Sequence, residues 1–348
     1  MIFNMARTEI LDVRVPGEET TARLGRAAEV IKRGGLVAFP TETVYGLGAN
    51  AFDEEAVGRI YEAKGRPSDN PMIAHIARPD DIGLLAKSTS PHMEKLAKAF
   101  WPGPLTMVAA KRDEVPRRVT GGLETVAIRL PDHPVAAELI RLAGIPLAAP
   151  SANLSGSPSP TKAEHVIADL DGKVDIILQG GPCHIGIEST VVDMTASPPC
   201  VLRPGIITRE DIETCLGEPI AGHSVITTNP QAAAPFDAAP PKSPGMKYAH
   251  YAPKATLLVV MGQDAEKTAA ELMRLKKQNE ALGIRVGLLL AGERSHYEFA
   301  RDFYAKLRDF DNEGVDMIIA VAPPEVGGIT TAILNRLLKA AGNNIVRV

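Results

Sequence analysis

Leu36-Val37-Ala38-Phe39-Pro40-Thr41-Glu42-Thr43-Val44-Tyr45-Gly46-Leu47-Gly48 reads as a short apolar strand that a proline ends, opening into a loop of hydroxyls, one carboxylate and two glycines. Upstream, Thr20 to Arg33 carries Leu24, Ala27, Ala28 and Ile31 at helical spacing, and Gly34-Gly35 supply the stop. Downstream, Asp53 to Ala63 and Pro91 to Phe100 read as helices. Met72 to Ile76, Leu105 to Ala110, Thr125 to Leu130, Leu147 to Ala149, Asp175 to Leu178, Thr190 to Met194 and Cys200 to Arg203 read as strands. Helix and strand alternate irregularly, which predicts an α/β domain with a large mixed sheet rather than a regular βαβ repeat.

The pattern lapses between about Ala221 and Pro241, where Asn229-Pro230 and Ala238-Ala239-Pro240-Pro241 carry no apolar period, as a linker would. Beyond it, strand-like Thr256 to Met261, Arg285 to Leu290 and Met317 to Val321 alternate with helical patterns at Ala265 to Glu280, His296 to Leu307 and Thr330 to Ala341. That order predicts a small parallel α/β domain. Gly262 and Gly327-Gly328 do not form a dinucleotide fingerprint, so the pattern names no cofactor.

A chain of 348 residues is long for one core, in agreement with two domains. With 45% hydrophobic and 23% charged residues it is not a disordered chain. The net charge of -4 excludes a chain-wide basic field for nucleic acid, so anion binding must be local. Cys183, Cys200 and Cys215 are an odd set without paired spacing, and Cys183-His184 lacks further ligands at zinc-like spacing. Met1 to Ile10 has no signal-peptide core, and runs such as Val286 to Ala291 fall far short of the ~20 residues of a bilayer span. The expectation is a cytoplasmic protein with no membrane segment and no metal held by the chain.

Five segments carry candidate chemistry. The loop Pro40 to Gly48 can line a pocket for a polar ligand, and its spacing equally suits a hydrogen-bonded turn. In Lys64-Gly65-Arg66-Pro67-Ser68-Asp69-Asn70-Pro71, Lys64 and Arg66 can converge on one anion, phosphate being the natural one, or form a solvated basic turn. His75 follows inside a strand, where a satisfied core histidine is the commoner case. Arg129 closes the strand Val126 to Leu130 and suits a fixed carboxylate, of a ligand or of an internal acid. Ala149 to Gly156 and Gly186 to Asp193, the latter followed by Leu202-Arg203-Pro204-Gly205, offer small hydroxyls and amides that suit phosphate, ribose, an amino acid, or helix caps and turns. Glu188 and Asp193 add carboxylates without the spacing of an acid/base pair. Walker, Gly-x-Ser-x-Gly and His-Glu-x-x-His motifs do not occur.

Together and in this order, the five segments resemble the YrdC-type threonylcarbamoyl-AMP synthase family. Its pattern of a lysine and an arginine flanking a glycine, then Ser-x-Asn, is met by Lys64, Arg66 and Ser151-Ala152-Asn153. The likeness covers about Thr20 to Thr208. Ser243-Pro244-Gly245-Met246-Lys247-Tyr248-Ala249-His250-Tyr251-Ala252-Pro253 resembles the junction of the two-domain form, in which a linker folds over the active site and leads to a Rossmann-like C-terminal domain. Ala249 departs from the arginine common there.

The resemblance implies a YrdC-like catalytic domain over 1–218, a linker over 219–253 that contacts the active site, and a small Rossmann-like domain over 254–348. It implies a nucleotidyltransferase that joins L-threonine, bicarbonate or carbon dioxide, and ATP into threonylcarbamoyl-AMP and pyrophosphate, with magnesium carried mainly by the ATP phosphates. By the same resemblance Thr41, Thr43, His75, Arg129 and Ser189 hold threonine. Lys64, Arg66, Asn70, Thr125, Ser151, Asn153, Ser159, Arg203 and Tyr251 hold ATP, Lys64 and Arg66 being the catalytic pair. The adenylate then passes to a tRNA threonylcarbamoyltransferase, which modifies the adenosine beside the anticodon; a local basic concavity would be the place for any tRNA contact. Two other readings are weighed: a carbamoyl-handling module of the hydrogenase-maturation type, which requires acylphosphatase and zinc-finger segments, the latter excluded by a count of three cysteines, and a non-catalytic RNA-binding protein, which requires a basic, aromatic-bearing surface.

Overall fold

The computed structural model describes residues 7–222, 251–292, 294–323 and 327–348. Most of the expected linker, including Ser243, Tyr248 and His250, lies outside the described residues. Eleven strands form the first sheet: β1 (Glu9–Asp12), β2 (Val37–Phe39), β3 (Gly46–Asn50), β4 (Ile73–His75), β5 (Leu105–Ala110), β6 (Thr125–Arg129), β7 (Leu147–Ala148), β8 (Ile176–Gln179), β9 (Thr190–Asp193), β10 (Cys200–Arg203) and β11 (Ala221–Gly222). Their spatial order is β1-β8-β2-β3-β7-β4-β6-β5-β9-β10-β11. Parallel pairs such as β4 with β6 and β5 with β9 adjoin antiparallel pairs such as β2 with β3 and β5 with β6, so the sheet is large and mixed. Because β11 pairs with β10, this sheet extends past Glu218 into the stretch expected as linker.

The loop after Phe39 is shorter than the sequence suggests. Gly46–Asn50 is itself a strand, antiparallel to β2, with Phe39 opposite Gly46 and Val37 opposite Gly48. Two glycines argue against a strand by propensity, yet a Cβ on Gly48 would come within 2.7 Å of the Phe39 ring, so the hairpin closes only on bare backbone. The turn 40–45 is left at the end of the hairpin.

Helix Glu54–Lys64 starts on Asp53, whose carboxylate accepts from the N–H groups of Glu55 and Ala56, and stops at Gly65 with φ 60°. Burial of Ala56, Val57, Ile60 and Tyr61 fixes its rotation and delivers Lys64 from its last turn to the sheet end. Register places His75 beside Arg129 across the parallel pair β4–β6. Strand β1 and helices Pro134–Ala143, Ala163–Leu170 and Arg209–Leu216 had no counterpart in the sequence reading. In β1 only Ile10 and Leu11 stand between two acids, too short a run to announce an edge strand.

The second sheet comprises β12 (Thr256–Met261), β13 (Val286–Leu289), β14 (Met317–Val321) and β15 (Ile345–Arg347), all parallel, in the order β13-β14-β12-β15. Val260 and Ile319 face Leu272 of helix Ala265–Glu280. On the other face Leu257, Val259, Ile318 and Ala320 pack with helices His296–Asn312 and Ile329–Ala340. Helix His296–Asn312 runs five residues beyond the expected end at Leu307.

The two sheets share a core. Val44 and Ile187 of the first domain are buried in the same apolar cluster as Phe303, Leu307, Ile333 and Leu337 of the second. Arg308 adds an ion pair to Asp169 at 2.8 Å and a hydrogen bond to the Pro158 carbonyl at 3.2 Å. A Cβ on Gly186 would lie 2.2 Å from the Arg301 carbonyl oxygen, so glycine is what permits this approach.

Candidate active site

Where strand ends and turns of the first domain meet the start of the second, a cleft encloses about 660 Å³ of open space including its mouth. Thr41, Thr43, Lys64, Arg66, His75 and Arg129 line it, joined by Ser151, Asn153, Ser189, Arg203 and Tyr251.

The turn 40–45 supplies a directed hydroxyl chain. The Thr41 hydroxyl donates to the Val44 carbonyl at 2.7 Å, so the 2.8 Å contact between the two threonine hydroxyls has Thr43 as donor. Thr43 Oγ1 in turn accepts from Arg129 Nη1 at 2.9 Å. The stretch is thus both a hydrogen-bonded turn and a cleft wall. Arg129 has an internal carboxylate partner: Glu42 Oε1 lies 2.6 Å from Nη2, with both side chains buried. Arg129 Nε donates to the Gly103 carbonyl at 3.3 Å, and the side chain lines the cleft. Burial opposes ionisation of Glu42, but the Arg129 charge wins and holds its carboxyl below the ordinary range. His75, buried and repelled by Arg129, is lowered to about 3 and is neutral; its Nδ1 lies 3.2 Å from the Ile73 carbonyl.

A second set of cleft-lining side chains is basic. Lys64 Nζ donates to the carbonyls of Ser151, at 2.5 Å, and Asn153. Burial, reinforced by Arg66, drives this amine well below the usual lysine value. Arg66 donates from Nη2 to the Pro71 carbonyl at 2.9 Å and from Nε to the Asn70 carbonyl at 3.3 Å, and burial lowers it to about 10. Arg203 donates to both the carbonyl and the hydroxyl of Ser189, at 3.0 and 3.1 Å, while Thr106 braces that hydroxyl at 2.7 Å. Ser151 donates to Asn153 Oδ1 at 2.5 Å, so the Ser-x-Asn turn is internally locked.

The second domain reaches into this wall. Glu188, which lines the cleft, accepts from Ser159 at 2.6 Å, from Tyr304 at 3.0 Å and from Arg336 Nε at 2.7 Å. Burial alone would raise its carboxyl; the charges of Arg336 and Arg203 and these hydrogen bonds hold it at about 2. Tyr251 is 5% exposed and lies in the left-handed region with φ 70°, a conformation costly for a non-glycine residue. Its ring is held by Tyr304, 5.3 Å between centroids, and by the Arg336 guanidinium 5.7 Å above it.

Three expected residues do not line the cleft. Thr125 opens β6 four residues before Arg129, about 13 Å away along an extended strand. Ser159 spends its hydroxyl on Glu188. Asn70 contributes its carbonyl to Arg66, while both polar atoms of its buried amide lack a hydrogen-bond partner. Conversely, the sequence reading missed Glu42 as the partner of Arg129, and missed Tyr304 and Arg336 altogether. A signal existed for the last: Arg336 falls on the same helical face as Ala332, Ile333 and Ala340, a charge in an apolar stripe. Among the described residues no cluster of three or more His, Cys, Asp or Glu side chains could hold a metal, and burial pushes the Cys183 thiol up.

Comparison with known proteins gives two family matches. Residues 29–205 match the Sua5/YciO/YrdC family, described as "Telomere recombination", and residues 207–342 match "Threonylcarbamoyl-AMP synthase, C-terminal domain". Threonylcarbamoyl-AMP synthase of Pyrococcus abyssi is 47% identical over 98% of this chain and all of its own length, and that of Bacillus subtilis is 47% identical over 93% and 94%. The crystal structure of P. abyssi Sua5 complexed with L-threonine superimposes with a TM-score of 0.91 at 47% identity, covering 98% of this chain and all of that one.

Proposed function

The chain belongs to the threonylcarbamoyl-AMP synthase family, and from that premise we propose how its cleft turns L-threonine, bicarbonate and ATP into threonylcarbamoyl-AMP and pyrophosphate. The observation that carries the reading is the division of one cleft into two chemistries. On one side a buried arginine is fixed by a carboxylate and a threonine hydroxyl; on the other, Lys64, Arg66 and Arg203 converge.

Arg129, held by Glu42 and Thr43, offers its remaining N–H groups to the threonine carboxylate, and the Thr41–Thr43 hydroxyl chain and Ser189 orient the rest of the amino acid. His75 takes part as a neutral ring. The carbamate formed from threonine and bicarbonate presents an oxygen to the α-phosphorus of ATP, and pyrophosphate leaves. Lys64, Arg66 and Arg203 neutralise the charge that accumulates on the phosphates. Ser151, Asn153 and Tyr251 complete the nucleotide wall, and Asn70 serves it from behind, through the carbonyl that holds Arg66. Magnesium supplies further charge neutralisation and travels on the ATP phosphates. Glu42 and Glu188, the carboxylates nearest to hand, are each spent on an arginine, so the cleft suits a phosphate-borne ion rather than a protein-held one.

Joining an acyl group to AMP with loss of pyrophosphate makes this a nucleotidyltransferase. The product is a mixed anhydride, and its consumer is a tRNA threonylcarbamoyltransferase acting on the adenosine next to the anticodon, in the cytoplasm. No helix among the described residues is long and apolar enough to cross a membrane.

The test is pyrophosphate release with ATP, L-threonine and bicarbonate present or singly omitted. Release should require all three. Release that ignores threonine overturns the reading, and no release together with salt-dependent RNA binding favours an RNA-binding protein instead.

A further inference from the structure

Residues 152–162 belong to no helix or strand, yet Asn153, Ser155 and Gly156 line the cleft. A segment without ladder hydrogen bonds keeps its shape only through other partners. Part of that shape is internal: Asn153 Nδ2 donates to the carbonyls of Leu154 and Ser157 at 2.7 and 2.8 Å, and the Ser157 N–H donates to the Leu154 carbonyl at 3.1 Å. Lys64 holds the near side, its own carbonyl accepting from the Ser155 N–H at 2.9 Å. These bonds curl the turn. The bonds that seat its outer side come from farther along the chain.

Helix His296–Asn312 of the second domain supplies them. Tyr304 and Arg308 lie four residues apart and so share one face of it. Tyr304 donates to Glu188, which also accepts from Ser159. Arg308 reaches two points of the segment at once. Its Nη1 and Nη2 meet the two carboxylate oxygens of Asp169 at 3.2 and 2.8 Å, and Asp169 Oδ2 accepts in turn from the Leu154 N–H at 3.1 Å. From its other edge, Nε and Nη2 donate to the Pro158 carbonyl at 3.2 and 2.5 Å. Leu154, Asp169, Arg308 and Pro158 therefore close a ring around Ser155, Gly156 and Ser157. The Arg308 and Asp169 side chains are only 11% and 12% exposed, so solvent screens the pair little. Adhesion between domains needs no more than opposite charges; here one planar fork serves a carboxylate and a backbone carbonyl that both belong to the seating of one turn.

We propose that Arg308 is a positioning residue for the nucleotide: from the second domain it fixes the turn 154–158, and with it the Ser-x-Asn stretch, in the shape that binds ATP. Arg308 itself is not among the side chains that line the cleft, so it acts through Asp169, Leu154 and Pro158. On this assignment the second sheet is part of the nucleotide site and not an appendage beside it. The proposal rests on the placing of ATP against Ser151 and Asn153 given above.

The test compares the full-length wild type with Arg308→Lys, Arg308→Met and Asp169→Asn. For each, ATP affinity is measured at equilibrium without threonine, the Michaelis constants for ATP and threonine are taken from pyrophosphate release, and the urea midpoint is recorded. Lysine keeps the charge and can pair with Asp169, but a single nitrogen does not reproduce the fork that spans the carboxylate and the Pro158 carbonyl. Arg308→Lys should therefore weaken ATP binding and raise the Michaelis constant for ATP about tenfold, with that for threonine within about twofold. Arg308→Met should lose more, and Asp169→Asn should move ATP alone in the same direction. A residue that only holds the domains together would lower the urea midpoint and leave the ratio of the two Michaelis constants where it was. An unchanged ratio in Arg308→Lys overturns the proposal, whether both constants stay put or rise together. Should Arg308→Met fail to fold, Arg308→Lys and Asp169→Asn decide by the same ratio. A wild type that binds no ATP, or that releases pyrophosphate without threonine, would sink the synthase reading instead, so the two failures are distinguishable.

Discussion

The Glu188 carboxylate and the Arg336 guanidinium meet at 2.7 Å across the seam between the two sheets, and Arg336 has no exposed surface. A side chain of the second domain therefore neutralises a carboxylate of the substrate cleft and at the same time caps the ring of Tyr251. Arg336→Met should cost about 3–5 kcal/mol, because it strands a buried charge. Glu188→Gln with Arg336→Met should recover much of that loss. Urea unfolding of the single and double variants measures both, and the ATP affinity of the double variant shows what the pair does for Tyr251.

Acid should unfold the protein in two stages with separable causes. His75 is held at about 3 against an ordinary 6.5, so the folded state binds fewer protons than the unfolded one between those values; its contribution is complete above 6.5 and is lost as pH falls toward 3. Glu188 is held at about 2 against 4.5, so its contribution is complete above 4.5 and is lost as pH falls toward 2. Plotting the urea midpoint against pH, His75→Gln should flatten the slope from about 6.5 downward, and Glu188→Gln only below about 4.5. An unchanged slope in either variant contradicts the corresponding assignment.

Arg129→Lys keeps the charge but loses the fork that Thr43, Glu42 and Gly103 hold. The Michaelis constant for threonine should rise roughly 10- to 100-fold, while ATP affinity stays within a few-fold. Glu42→Gln should act in the same direction with a smaller effect, since it frees the guanidinium without removing it. A matching loss of ATP affinity in either variant would show that the two halves of the cleft are not separate.

Gly186→Ala tests the domain contact. The residue combines φ 81° with a Cβ position 2.2 Å from backbone of Arg301. Gly181 has φ 91° and nothing within 4 Å, so Gly181→Ala reports the backbone penalty alone, about 1–2 kcal/mol. Gly186→Ala should exceed that and should also expose the second domain to limited proteolysis. Equal unfolding midpoints for the two variants would mean the domains can shift apart at no cost.

Much of the fold was legible because burial writes itself as periodicity. Leu105–Ala110, Cys200–Arg203, Thr256–Met261 and Met317–Val321 are short runs whose apolar residues announce both their type and their ends. Gly46–Asn50 was misread because its glycines serve the Phe39 ring, a contact between strands that no local pattern carries. In the site, cleft-lining residues clustered at strand ends and could be found there. Their supporting charges could not: Glu42 meets Arg129 only after 87 residues of chain have folded, and Glu188 meets Arg336 after 148. Asn70, Thr125 and Ser159 were assigned by family likeness, as the other ligand contacts were, and they are the three that do not line the cleft, whereas Tyr251, assigned in the same way, does.

Val44 and Ile187 belong to the second domain's core, their neighbours Thr43 and Glu188 line the cleft, and Val44 does both. Adjacent residues of these two segments thus answer to two selections, substrate and domain adhesion, and Val44 answers to both. Any library that randomises 41–45 to change amino-acid preference is therefore also a library of interdomain packing. Variants recovered from it would have to be ranked on midpoint of unfolding before a change in turnover could be credited to the substrate. By the same logic, trimming the chain at Gly222 uncovers two apolar side chains beside the cleft, and a one-domain descendant would have to recolour those positions before it could discard the second sheet.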